Sequence, residues 1–351
     1  MLYINDTCTD PYWNLAAEEY LLKHKDEPIF RLWINGDAII IGQYQNAVAE
    51  IDTNYVKEHK IKVVRRLSGG GAVFHDLGNL NFTFIQEREK GEDAHTMFRR
   101  FTAPIIDALR NIGVEAYLEG RNDLLIDGRK FSGNAICIHK NRTLQHGTLL
   151  FSASMNTLGA ALKSRPEKFI GKAVQSNRSR VTNISGHLDP HKFPSGTTIS
   201  DITGFKEYLA EYICNTNSGI VPYTYTARDI EAIDKLCREK YSKDEWNFGK
   251  SPSYSFTGGA KFQGGLIEAS FDVSQGKICG LQIMGDYFFT RPTEEFCDMM
   301  IGTEHTPDGI RKAIAGIEEK LQLEGTAEGI NAFFNNIAAE EIASLFFDSG
   351  R

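Results

Sequence analysis

The 351-residue chain reads as an α/β (α+β) protein: a mixed, mostly antiparallel sheet flanked by helices, followed by a smaller α/β unit. Three observations predict this. Strand-like runs are joined by tight-turn signals at Asn35-Gly36, Asp127-Gly128 and Lys140-Asn141-Arg142. Helical periodicities occur between these runs, without the regular βαβ alternation of a doubly wound sheet. After Trp246 the composition shifts to a glycine-rich meander, which divides the chain near Glu245 into units 1–245 and 246–351.

In order, "PYWNLAAEEYLLKH" predicts an early helix in which Leu15 and Leu22 lie on an apolar face and Glu18 and Glu19 on a polar one. "IFRLWINGDAIIIGQYQ" predicts a hairpin turning at Asn35-Gly36. Strands are expected at 61–67 and 79–86, on either side of a glycine loop. Met97, Phe101, Ile105, Leu109 and Ile112 set a helix over 95–112, capped by Gly113. "DLLIDGRKFSGNAICIH" and "TLQHGTLLFSA" follow as further hairpin strands. Residues 163–194 are polar and aperiodic, which fits either a solvated loop or one ordered by a ligand. Helices resume at 198–214 and 227–241. Beyond the meander, more are expected near 293–300, 306–321 and 337–347.

A composition of 41% hydrophobic and 24% charged residues is that of a globular protein, and a net charge of −7 argues against general affinity for nucleic acid or anionic membrane. No apolar run is long enough to span a bilayer, and "MLYINDTCTD" lacks the features of a signal peptide, so a cytoplasmic location is expected. The six cysteines are scattered without a C-x-x-C pair, which predicts reduced, mostly buried thiols.

Three consecutive glycines in "RRLSGGGAVFHDLGNLNFTF" need a reason, because each costs roughly 0.5–1 kcal/mol of order relative to alanine. No G-K-[ST] follows and the spacing is not G-x-G-x-x-G, so the familiar phosphate loops are excluded. Arg65 and Arg66 place fixed positive charge beside the loop. In "GRNDLLIDGRKFSGNA", strand alternation puts Lys130, Ser132 and Asn134 on one face, and Gly133 leaves room for a close approach. Such a face suits an anionic ligand. Taken alone, Lys130 reads more readily as a solvated hairpin lysine than as a ligand-binding one. His75, Asp76 and His146 do not form a transition-metal pattern. Asn122 and Asp123 either position Mg²⁺ carried by phosphates, with Asp123 as the metal ligand, or shape a turn.

Together, "RRLSGGGAVFHDLGNLNFTF", "GRNDLLIDGRKFSGNA", "HGTLLFSAS" and "SNRSRVTNIS" resemble, in order and spacing, the lipoate–protein ligase A family, and the segment after Trp246 resembles its accessory domain. The resemblance implies a biotin/lipoate ligase-like catalytic domain and a two-step reaction. Lipoate and ATP give lipoyl-AMP, and the lipoyl group then passes to a lysine of an acceptor. The implied acceptors are lipoyl domains of 2-oxoacid dehydrogenase complexes and the glycine-cleavage H protein. Lys130 falls on the family's motif lysine, bridging acyl carbonyl and α-phosphate. The resemblance gives ATP or adenylate contacts to Arg66 and to Gly71, Ala72, Val73 and Phe74. His146, Gly147 and Thr148 would line the lipoyl tunnel, and Arg180, Val181 and Thr182 would end a loop closing over the adenylate. Further ligand contacts are implied for Ser68, Gly69, Gly70, His75, Asn79, Asn122, Asp123, Ser132 and Gly133. Leu67 stands where some relatives carry another arginine. A rival reading is an ATP-independent acyltransferase with a cysteine nucleophile, for which Cys137 is the cysteine within these motifs.

Overall fold

The computed structural model describes all residues except 46, 48–50, 52, 90, 155–180, 249–255, 275 and 348–351. The first elements are β1 (Leu2–Asn5), α1 (Pro11–His24), β2 (Ile29–Ile34), β3 (Ala38–Ile41), α2 (Thr53–Glu58), β4 (Lys62–Arg65), β5 (Val73–His75) and β6 (Asn79–Glu87). Next come α3 (Ala94–Asn111), β7 (Ala116–Glu119), β8 (Asp123–Ile126), β9 (Arg129–His139), β10 (Arg142–Leu150), α4 (Ile202–Thr216), β11 (Val221–Pro222), α5 (Ala227–Leu236) and α6 (Asp244–Asn247). The last are β12 (Phe256–Phe262), β13 (Gly265–Ser274), β14 (Lys277–Gly285), α7 (Thr293–Met300), α8 (Pro307–Leu323) and α9 (Ala339–Ser344).

Eight strands form one mixed sheet in the order β11-β1-β2-β6-β10-β9-β8-β7, parallel at β11-β1-β2 and antiparallel from β2 onward. Helices α3 and α4 cover one face, where Phe82, Phe84, Phe101, Leu109 and Phe205 share a core. Local chemistry starts and stops these helices as expected. Asp93 caps α3 by accepting from the Thr96 N–H, and Gly113, at φ 78°, follows its last turn. The Asp127-Gly128 turn has positive φ at both residues, as a two-residue hairpin of this twist requires. The glycine-rich meander is an antiparallel sheet, β12-β13-β14, packed against α7 and α8.

Three expectations fail, each for a physical reason. Asn35-Gly36 is not a hairpin turn: neither residue has positive φ, and β2 and β3 belong to different sheets. The Asn35 side chain is held instead by Asn14 and His75, and the chain crosses from the large sheet into a second one, β4-β3-β5. The glycine loop is consequently followed by an extra strand, β5, before β6. The polar face expected of α1 at Glu18 and Glu19 is not solvent-exposed, and the Cys237–Tyr241 turn after α5 packs on Glu19. Glu18 and Glu19 are only 2% and 4% exposed, and Glu19 is bound by Lys23, Lys240 and Tyr241. Finally, a β-bulge in β9 pairs Leu124 with Ser132 but Leu125 with Lys130. Lys130 therefore shares a face with Asp123 and Gly133, while Ser132 turns to the opposite, helix-covered face.

Arg65 shows how the two parts of the chain are joined. Its guanidinium donates to the carbonyls of Gly42, Gln43, Gln45, Trp246 and Asn247, and among the described residues no carboxylate pairs with it. Burial lowers its pKa to about 10, so it stays charged at neutral pH. Replacing it as Arg65→Leu leaves these buried carbonyls without donors. The expected loss is about 2–4 kcal/mol of stability, read from the urea midpoint. An unchanged midpoint would show that this anchor contributes nothing.

Candidate active site

A cavity of about 340 Å³ lies over the sheet face that carries α1, and its lining changes character from end to end. Lys130, Asp123, Asn122 and Arg121 mark one end. Leu15, Trp33, Ile40 and Val73 mark the other. Between them lie Gly133, Thr148 and Asn81. The register explains the direction: Thr148 pairs with Asn81, Asn81 pairs with Trp33, and the Gly133 N–H donates to Thr148 Oγ1. Going from β9 to β2 thus crosses three strand spacings, about 14 Å.

Lys130 Nζ sits 2.7 Å from Asp123 Oδ1, with both side chains about one-third exposed at 35% and 36%. The Lys130 stem passes over Gly133, where a β-carbon would come within 3.2 Å of Cε and Nζ. Its carbonyl accepts from the Thr182 N–H, and Val181 bridges to it, so the chain beyond residue 180 borders the lysine directly. Asn122 is locked to Asn134 by reciprocal side-chain-to-carbonyl bonds. Arg121 stacks on Phe288 at 4.4 Å and bonds to the Gly264 carbonyl.

The glycine loop is shaped from below by Arg66, which donates to the carbonyls of Ile40, Gly69 and Gly71 and to Ser68 Oγ. Burial lowers its pKa to about 10, which leaves it cationic at neutral pH beneath the loop. The glycines themselves answer two demands. A β-carbon at Gly69 would lie 2.3 Å from the Tyr287 carbonyl, and Gly70 has φ 88° while its N–H donates to that same carbonyl. The third, Gly71, faces the cavity.

Behind the loop runs a buried chain of side chains. Thr83 and His146 Nδ1 both donate to the Glu18 carboxylate, at 2.5 and 2.9 Å, and His146 Nε2 is hydrogen-bonded to Ser68 Oγ at 2.7 Å. Burial would raise the Glu18 carboxyl, but His146 and Arg31 hold it below the ordinary range. His75 is pushed down to about 3 by burial, with Arg66 and His146 adding to the effect, so its ring is neutral.

Of the residues expected from sequence, the cavity brings together Arg66, Gly70, Gly71, Ala72, Val73, His75, Asn122, Asp123, Lys130, Gly133, His146, Gly147 and Thr148. Ser68, Gly69, Phe74, Asn79, Ser132, Val181 and Thr182 are not on its wall. Ser68 and Ser132 are fully buried, Asn79 bonds to Asn81, and Phe74 packs in the small sheet's core. Arg180, with the rest of the polar run through 180, lies outside the described residues. Arg65 faces away from the cavity. The sequence reading missed Glu18, Trp33, Asn81, Arg121, Asp286 and Phe288. The last two come from the second unit, and no local pattern marks them. Among the described residues no group of three or more His, Cys, Asp or Glu side chains is placed to hold a metal, and no helix is long and apolar enough to cross a membrane.

Comparison with known proteins decides the family. Residues 10–213 match the lipoyl protein ligase A/B catalytic domain, and residues 251–346 match the bacterial lipoate protein ligase C-terminus. The lipoate-protein ligase LplJ of Bacillus subtilis is 41% identical over 99% of this chain and all of its own. The chain belongs to the lipoate–protein ligase family. Among solved structures, LipL1 of P. falciparum, in complex with lipoate, shares the fold with a TM-score of 0.73. It is 24% identical and covers 93% of this chain and 98% of its own. A lipoate-protein ligase A bound with ATP is 29% identical, with a TM-score of 0.58, covering 71% of this chain and 97% of its own.

The cysteine expectations resolve unevenly. All six thiols are free; Cys137 and Cys297 are buried, whereas Cys279 is exposed. Cys137 packs among Leu21, Leu22, Ile85 and Leu144, away from the cavity wall, and burial followed by Glu19 and Glu18 pushes its thiol up to about 12. A thiol held there is not a nucleophile near neutral pH.

The neutral, buried His75 has a thermodynamic signature. Its folded pKa of about 3 lies below the ordinary 6.5, so between these values the unfolded chain binds a proton that the folded chain refuses. Its contribution to stability is intact above pH 6.5 and falls as pH drops, by up to about 1.4 kcal/mol per pH unit. Urea unfolding from pH 7 to 4 should show a shallower decline for His75→Gln than for the native chain. Parallel declines would mean that His75 protonates freely in the folded state.

Proposed function

We infer that the chain activates lipoate with ATP to lipoyl-AMP and pyrophosphate, and then transfers the lipoyl group to a lysine of an acceptor lipoyl domain. The observation that carries this reading is the polarity of the cavity: an ammonium group and amide donors at one end, an aliphatic and indole pocket about 14 Å away at the other. An acyl chain with an anionic head fits that gradient. Family membership supports it, as does the ATP-bound relative.

In the first step a carboxylate oxygen attacks the α-phosphorus and the bond to pyrophosphate breaks. Two anions must approach, and Lys130 lowers their repulsion by exchanging its partner Asp123 for the reacting oxygens. Arg66 adds fixed positive charge below the loop, and Asn122, tied to β9, offers a positioned amide. In the second step the acceptor amine attacks the acyl carbonyl, and AMP leaves with the former carboxylate oxygen. Lys130 polarises that carbonyl. Mg²⁺ neutralises triphosphate charge when bound. Asp123 and Asp286 are the carboxylates lining the cavity, and a cation held by phosphates plus one of them suits a hard oxygen-seeking ion. Acceptors are proposed to be lipoyl domains of 2-oxoacid dehydrogenase complexes and the glycine-cleavage H protein.

We place this chemistry on a catalytic unit, residues 1–245, and assign residues 246–351 to an accessory unit. Trp246 and Asn247 hold Arg65, so a fragment made to test the division should extend to residue 248. It should fold, yet lose activity, because Asp286 and Phe288 would be missing from the cavity wall. Aggregation of that fragment, where the full chain stays soluble, would refute an independent first unit.

Lys130→Ala should reduce lipoate-dependent ATP–pyrophosphate exchange by ~10²–10³. Lys130→Arg should recover little, since a planar guanidinium does not fit over Gly133 as the ammonium does. Cys137→Ser should retain exchange and transfer to an apo lipoyl domain. Full exchange in Lys130→Ala would overturn the role given to Lys130.

A further inference from the structure

The apolar end of the cavity wall includes His75, whose buried Nε2 has no hydrogen-bond partner among the described residues. His75 is only 4% exposed and lines the wall beside Trp33, Ile40 and Val73. Its tautomer follows from a chain of hydrogen bonds that begins at an obligate donor. Arg31 Nη2 can only donate, so Asn14 must present Oδ1 to it, at 2.5 Å. Asn14 Nδ2 then donates to Asn35 Oδ1 at 2.9 Å, which leaves Asn35 Nδ2 facing His75 Nδ1 at 3.0 Å. His75 Nδ1 is therefore the lone-pair nitrogen and Nε2 carries the proton. That Nε2–H is buried with no partner among the described residues, and no other described cavity-lining side chain has such an atom.

An unpaired donor at this depth is costly, and native structures satisfy almost all such groups. The indole N–H of Trp33 is not a competing donor, since it is committed to Thr83 Oγ1 at 2.8 Å. What is missing is an acceptor on the ligand. On the reading of the preceding subsection, a ligand with its carboxyl at Lys130 places its far end here. A saturated acyl tail has no acceptor at that end; a dithiolane has two sulfurs with lone pairs.

We propose that His75 Nε2–H donates a hydrogen bond to a ring sulfur of the bound lipoyl group, making His75 the residue that selects a sulfur-bearing ring over a plain hydrocarbon tail. The proposal rests on the adenylation reading but is separable from it. Neutral imidazole keeps this donor across the physiological range, and the Arg31–Asn14–Asn35 chain keeps it on Nε2.

The test compares three acids on the full chain: lipoate, octanoate and 5-cyclopentylpentanoate, whose ring has the dithiolane's approximate shape but no sulfur. In pyrophosphate exchange, kcat/KM for lipoate should exceed that for the cyclopentyl acid by about tenfold, the scale of one buried donor left unpaired. His75→Phe should bring the ratio near one, and His75→Gln, which keeps an N–H near the Nε2 position, should restore most of it. Equal use of lipoate and the cyclopentyl acid by the native chain overturns the proposal, even if the variants do not fold. A ratio unchanged in a folded His75→Phe overturns it as well. If no acid supports exchange, the adenylation reading fails. The binding ratio of the same acids by calorimetry then decides the proposal: preference for lipoate sustains it, and parity ends it.

Discussion

A buried positive charge beneath the glycine loop sets the terms for the rest of the molecule. Arg66 is 5% exposed and spends its donors on Ser68 and on the carbonyls of Ile40, Gly69 and Gly71. An ion taken out of water costs several kcal/mol unless other groups compensate. The compensation arrives through Ser68 and His146 from Glu18, whose carboxylate favours the charged form of Arg66. That chain ties α1, β10 and the glycine loop together, and Thr83 adds β6. None of these elements can shift alone without exposing a charge to an apolar interior.

A second buried cation does similar work on the far side of the cavity. Arg31, fully buried, binds Asp6 and Asn14, and Tyr225 shares the Asp6 carboxylate. Its directionality passes through Asn14 and Asn35 to the imidazole of His75. One network therefore holds the backbone around the polar end of the cavity, and the other sets which ring nitrogen presents a proton at the apolar end. Both pass through α1, so its two adjacent glutamates are buried.

The stretch that matches the lipoate protein ligase C-terminus contributes directly to the site. The Tyr287 carbonyl takes the N–H of Gly70, Phe288 stacks with Arg121 and packs edge-on against Phe98, and Asp286 stands on the wall. Tyr44 stacks on Tyr287 and reaches Glu294 at 2.5 Å, which adds a further tie between the units. The need for bare backbone at Gly69 thus comes from a carbonyl of the same chain as much as from any ligand.

The local elements were legible in the sequence because local chemistry specifies them. Asp93 and Gly113 bound α3, Asp127-Gly128 takes the positive φ values of its turn, and the meander pairs as its glycine-rich spacing suggests. The site's glycine loop, Lys130 and His146 were legible as motifs. Tertiary structure alone decided which face each side chain occupies. A one-residue bulge moved Lys130 away from Ser132 and beside Asp123, a change invisible to strand alternation. Asn35-Gly36 has a hairpin's composition, but the bonds from Asn14 and His75 outweigh the turn preference and send the chain into a second sheet. Glu18 and Asp286 reached the site through contacts spanning more than a hundred residues, such as Glu18 to His146 and Arg121 to the Asp286 carbonyl. Propensity acts within a few residues of the chain; charge pairing and burial act across space, and they chose the cavity's walls.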